Sequence, residues 1–260
     1  MDRSFLSDSK VIAASRDLVC VRLATYESKE EAEVLKSIFI GRSGELENTT
    51  FALLTPEGER VGRAGRSPAF MYQGGEALAS AMKRLAQGYT PRKDGTRELP
   101  IAKNARLGID IASCDGLPLA LVFHPDRDAR LALEKKLAHV AWSDALEGAY
   151  VYASASDAKE LAPITSGTAT AGVLLVEPDT YGQTGKGLAF FPAHATEKEL
   201  AAGLARVRAS FAVRAKDPRQ HIQQGHRLGV HWETEIPDTD PGPGPGGPPG
   251  GGGPPGGGGR

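Results

Sequence analysis

The chain has 260 residues, 40% of them hydrophobic, enough apolar material to pack one large core or two small ones. Lys and Arg total 31 against 32 Asp and Glu, a formal net charge of -1. That is not the basic footprint needed to neutralise nucleic-acid phosphates, and no apolar run reaches the roughly 18–20 residues of a membrane-spanning helix.

Residues 1–16 are polar, carry both charge signs and hold no continuous apolar stretch of the signal-peptide kind. As written, the chain is expected in the cytoplasm; a start further upstream would make export an expectation again. Residues 17–24, with Leu18, Val19, Cys20, Val21 and Leu23, read as a strand. Residues 28–40 read as a helix, with Ser28 and Glu31 in capping-box spacing and Ala32, Leu35 and Phe39 as its apolar stripe. Residues 50–54 and 60–63 read as the arms of a hairpin. They are joined by Thr55-Pro56-Glu57-Gly58, where Pro presets φ and Gly tolerates a positive one. Residues 75–87 read as a helix with Leu78, Met82 and Leu85 on one face, stopped at Gly88.

Residues 90–116 are polar, contain Pro91, Gly95 and Pro100, and read as a linker with a short helix near 102–107. The apolar run 117–123 suits a strand buried on both faces. A helix over 126–141 follows, then strands at 150–153, 172–176 and 188–191. The closing helix, 196–211, has Thr196 and Glu199 as its capping box. The expected organisation is therefore a first domain at 4–89, the linker at 90–116, a second domain at 117–211 and an extension at 212–240. A Gly/Pro tail at 241–260 cannot bury enough apolar surface to order itself.

Each block orders strand, helix, two-stranded hairpin and closing helix; the second adds a strand and a helix. The pattern indicates an α/β fold with mixed sheets. That order, with residues 48–61 in the place of a third strand, turn and fourth strand, resembles the thioredoxin-like superfamily. Residues 5–24 are similar to the end of its first helix and the strand that follows. The resemblance implies two tandem thioredoxin-like domains covering most of residues 4–211. Redox members of the family carry Trp-Cys-x-x-Cys at the head of a helix. The matching stretch in the second block is Phe123-His124-Pro125-Asp126-Arg127, and in the first block it falls before Met1. The family's cis-proline position falls at Thr49 or Thr50, and at Ala169 or Thr170. The resemblance therefore implies the fold without the usual dithiol activity, and Thr49, Thr50, His124 and Asp126 become candidate binding-loop residues.

Two cysteines, Cys20 and Cys114, supply neither a CxxC motif nor a four-cysteine metal set. Cys20 reads as a small core residue of its strand. Cys114, in a loop before a buried strand, is the candidate reactive thiol, and a Cys20–Cys114 disulfide needs the two to meet in space. His124 follows a strand at the end where open α/β sheets bind ligands, and Asp126 is also the natural cap of the next helix. His221, His226 and His231 recur every five residues. On a helix that spacing points ligands apart, so they are weak metal candidates in an irregular extension that packs Leu228, Val230 and Trp232 on the second domain. The glycine-rich stretches 41–44 and 62–67 match no phosphate-binding motif and read as loops.

No catalytic or cofactor-binding signature stands in the chain. The leading expectation is a non-catalytic binding or scaffolding protein with an unidentified protein partner. The alternatives are a thiol-disulfide oxidoreductase whose CxxC lies upstream of the given start, and a metal-binding protein using the C-terminal histidines.

Overall fold

The computed structural model describes residues 5–40, 44, 50–90, 98–166, 170–212, 217–231 and 234–236. The expected tail, Thr49, Ala169, Trp232 and the loop residues 41–43 lie outside them. The protein is a mixed α/β chain that divides into two compact units. Unit 1 takes 1–92 and 233–260, and unit 2 takes 93–232.

Unit 1 contains α1 (Ser9–Ser15), α2 (Lys29–Ile38), β1 (Phe51–Leu54), β2 (Arg60–Gly65) and α3 (Gly75–Gln87). Asp8 caps α1 by accepting from the Lys10 N–H at 2.8 Å, and Val11 and Ala14 of that helix are buried beside Leu78, Ala79 and Met82 of α3. Ser28 caps α2 as its spacing predicts, while the Glu31 carboxylate accepts from the Ala24 N–H. β1 and β2 pair antiparallel around the Pro56–Gly58 turn, and β2 runs on to Gly65 through residues expected to be loop. Ile236 closes a second small cluster with Tyr26, Ala32 and Leu35, its N–H donating to the Tyr26 carbonyl at 2.9 Å.

Unit 1 departs from the sequence reading at 17–24, where no strand forms. A strand exists only through its ladder, and the β1–β2 sheet takes no third member among the described residues. Cys20 is consequently exposed and not a core residue. The mixed sheet expected of this block is a two-stranded hairpin packed with helices.

Unit 2 is a six-stranded mixed sheet between helices. It runs β3 (Ile101–Ala102), α4 (Ala105–Asp115), β4 (Leu119–Phe123), α5 (Arg127–Ala141), β5 (Val151–Ala155), β6 (Ile164–Thr165), β7 (Gly172–Pro178), β8 (Gly185–Pro192), α6 (Glu197–Ser210) and α7 (Pro218–Arg227). The strand order is β3-β5-β4-β7-β8-β6. β3, β5 and β4 are mutually parallel, β7 is antiparallel to β4 and to β8, and β6 is parallel to β8.

The period-two alternation of the central strands feeds two cores. Ala120, Val122, Tyr152, Val173 and Leu175 face Leu133, Leu137, Leu200 and Leu204 of α5 and α6. Leu119, Leu121, Phe123, Ala153, Leu174 and Val176 face Ala105, Ile109 and Ala112 of α4. Every residue of β4 is buried, as its apolar run predicts. The Thr196–Glu199 capping box of α6 and the Asp126 cap of α5 form as their spacing predicts.

Residues 98–115 belong to this sheet and its helices, although they read as linker. β3 has only two residues, too few to show a period, and α4 buries Leu107, Gly108 and Ile109 in succession, so it has no single apolar stripe. The helix ends where Gly116 adopts φ 65 and caps it. Residues 217–231 depart too. Asp217 accepts from the Gln220 N–H at 2.9 Å and Pro218 sits in the first turn, together starting a helix through Gly225.

Candidate functional site

β4 and β5 end side by side, Phe123 opposite Ala155, and β7 begins beside them with Gly172 opposite Phe123. His124, the first residue beyond β4, donates its N–H to the Ala155 carbonyl at 3.3 Å. Its Nδ1 accepts the Asp126 N–H at 3.0 Å, which puts the proton of the neutral ring on Nε2 and makes that nitrogen a donor. The Asp126 carboxylate accepts the Ala129 N–H at 2.8 Å and caps α5.

One turn into α5, Arg130 Nη1 donates to the His124 carbonyl at 3.0 Å, and its Nε lies 3.9 Å from Glu134 Oε1. Both side chains are about four-fifths buried. Ser154 of β5 donates its hydroxyl to the same Glu134 oxygen. A chain of charge-assisted contacts thus runs from the strand end beneath α5 to β5 and fixes His124 from behind. These groups are hydrogen-bond donors and acceptors, and no nucleophilic thiol is among them.

Sequence reasoning placed His124 and Asp126 at this end, and the structure brings them together. It missed Arg130, Glu134 and Ser154. The i,i+4 spacing of Arg130 and Glu134 on a helix was a readable signal; Ser154 becomes visible only with the β4–β5 register. Asp126→Ala is expected to cost about 1 kcal/mol of unit 2 stability, the worth of a helix cap. Urea denaturation checks it, and a much larger loss would assign the carboxylate a role beyond the cap.

The other sequence candidates lie elsewhere. Cys114 is exposed in the last turn of α4 and not in a loop; Cys20, also exposed, belongs to unit 1, and neither is in a disulfide. Thr50 precedes β1, its Oγ1 buried and without a hydrogen-bond partner among the described residues. His221 stacks on Tyr181 of the β7–β8 loop, ring centroids 4.6 Å apart and planes 14° from parallel. Gly225, one helical turn on, comes under the same ring: a Cβ there would lie 3.2 Å from it. His226 and His231 are exposed. The three histidines therefore do not converge, and among the described residues no group of three His, Cys, Asp or Glu is placed to hold a metal ion. Leu228, expected to pack, is exposed, and Val230 is half-buried.

In unit 1 a shallow cleft of about 370 Å³ opens between α1 and α3, lined by Lys10, Glu76 and Lys83. The Lys10–Glu76 ion pair at 2.8 Å spans it. Its partners are exposed, and such pairs contribute little.

No helix among the described residues is long and apolar enough to cross a membrane. Compared with known proteins, the chain matches no family model, no curated protein and no solved structure.

Proposed function

We propose that unit 2 is a thioredoxin-like domain that binds a protein partner at the β4–β5 strand end and performs no thiol-disulfide exchange. The fold part of this reading is supported by the element order β3-α4-β4-α5-β5 followed by β7-β8-α6, with a parallel front half and an antiparallel hairpin behind it. The observation that carries the functional part is the head of α5. Where a redox member presents two thiols, this chain presents His124-Pro125-Asp126, tied into the helix cap and the Arg130 contact. Such a head offers the His124 Nε2–H to carbonyl or carboxylate groups of a bound chain and has no leaving sulfur.

The thiol-exchange alternative drew on unit 1 joining the thioredoxin order just after its cysteine motif. Unit 1 is a two-stranded hairpin packed with helices, with no strand at 17–24 among the described residues.

Insulin reduction driven by dithiothreitol tests the reading. The expected result is precipitation at the background rate for the wild type and for Cys114→Ser alike. Catalysed reduction that Cys20→Ser or Cys114→Ser abolishes would overturn it.

A further inference from the structure

Residues 18–23 of unit 1 combine features that conflict in an isolated chain. The sequence Leu-Val-Cys-Val-Arg-Leu has the β-branched, apolar character of a strand. Among the described residues the segment belongs to no ladder, and Val19 and Val21 are 91% and 71% exposed. Its two ends are nevertheless held. Leu18 packs against the cluster of Phe5, Val11 and Leu78, and Leu23 against Tyr26 and Leu35. A β-prone stretch anchored at both ends and open between them is an edge waiting for a partner.

We propose that residues 18–23 pair antiparallel with the same segment of a second copy of this chain, centred on Cys20. Three considerations select that occupant. Antiparallel pairing of one segment with itself obeys a two-fold axis and closes as a dimer, whereas pairing with the free edge of β2 in another copy would propagate without closing. Centring on Cys20 sets Val19 opposite Val21 of the second copy, a β-branched cross-strand pair made twice.

Charge points the same way. Arg22 is the only charged residue of the segment. In this register the two Arg22 residues stand four positions apart along the strands, about 14 Å, beyond a Debye length of roughly 10 Å at 0.1 M salt. A parallel pairing would place them side by side, and centring on Val21 would halve their separation. Six-residue strands cover far less than the roughly 1,600 Å² of a standard stable interface. An interface this small makes the dimer weak and reversible, and it is expected to be detectable below about 100 µM.

Sedimentation equilibrium of the full chain under reducing conditions, from about 1 to 100 µM, spans those concentrations. The expected result is a monomer–dimer equilibrium weakened at least tenfold by Val19→Asp with Val21→Asp. Both valines are exposed, so the substitutions leave the packed clusters intact. A monomer throughout, or association unchanged in the double variant, would overturn the proposal.

A second measurement reads the register. In an antiparallel pair, opposed Cα atoms lie about 4.5 or 5.5 Å apart, within disulfide reach. In the Cys114→Ser variant, oxidised glutathione should accept two electrons and two protons from the paired Cys20 thiols. The products are a disulfide-linked dimer and two reduced glutathiones. Only glutathionylated monomer after this treatment would refute the Cys20-centred pairing.

Discussion

Gly172→Ala is expected to remove at least about 3 kcal/mol from the stability of unit 2, placing it among the severe single substitutions. Gly172 opens β7 at φ 157, paired on one side with Phe123 of β4 and on the other with Pro192 of β8. A Cβ there would stand 2.1 Å from the Phe191 carbonyl oxygen and 3.0 Å from the Phe190 ring. The first neighbour is backbone and cannot rotate aside. Accommodation requires β8 to leave its ladder at the end where α5 begins, so the site would lose its floor along with the sheet. Urea unfolding followed by Trp142 fluorescence measures the loss. By contrast Gly65→Ala in unit 1, where a Cβ meets nothing within 4 Å, should leave the unfolding of that unit, followed by circular dichroism, within about 0.5 kcal/mol of wild type.

The second large effect is expected in alkali. Burial raises the Tyr150 phenol from its ordinary 10.0 to about 12, against a smaller downward pull from the Arg208 backbone and charge. Burial also raises Tyr152, with the neighbouring Tyr150 adding to it. Both rings lie in the core beneath α5 and α6, and the Tyr150 hydroxyl donates to the Leu204 carbonyl at 2.6 Å. The folded state therefore holds these protons more tightly than the unfolded chain. The Tyr150 contribution is complete below pH 10 and is lost as pH rises through about 12; that of Tyr152 persists to higher pH still. For Tyr150 alone the loss is roughly 2–3 kcal/mol. Absorbance at the tyrosinate band, followed with circular dichroism, should show these two phenols ionising together with the unfolding of unit 2. Tyr150→Phe should leave one fewer ionisation in that late phase. Both rings ionising smoothly near pH 10 in a folded protein would contradict the burial argument.

Where one element carried its own signal, the sequence was sufficient. α3, α5 and α6 declare themselves through apolar stripes and caps, and β4 through an apolar run that has to lie between two layers. Where formation depends on a distant partner, the signal was misleading or silent. Leu18 to Leu23 has every local property of a strand and no ladder among the described residues. Ile101 and Ala102 have almost none and still pair with Tyr152 and Ala153. α7 contains a glycine that argues against a helix, yet that glycine is what allows the helix to lie against Tyr181. The site divides along the same line. His124 and Asp126 follow from their position between a strand and a helix, whereas the Ser154–Glu134 contact needs the β4–β5 register, which depends on the whole parallel half of the sheet.

The contact between Ile236 and Tyr26 bears on the order of events at the ribosome. The chain enters unit 1, leaves it near residue 92, completes unit 2 and returns to unit 1 from residue 233. Unit 2 is one uninterrupted stretch and is available to fold as soon as it emerges, in keeping with the domain-by-domain order of synthesis. The Tyr26 cluster of unit 1, by contrast, stays open until Ile236 has left the exit tunnel. The half of the protein made first is thus finished last, and nascent unit 1 keeps an unfilled apolar notch while residues 93–235 are translated.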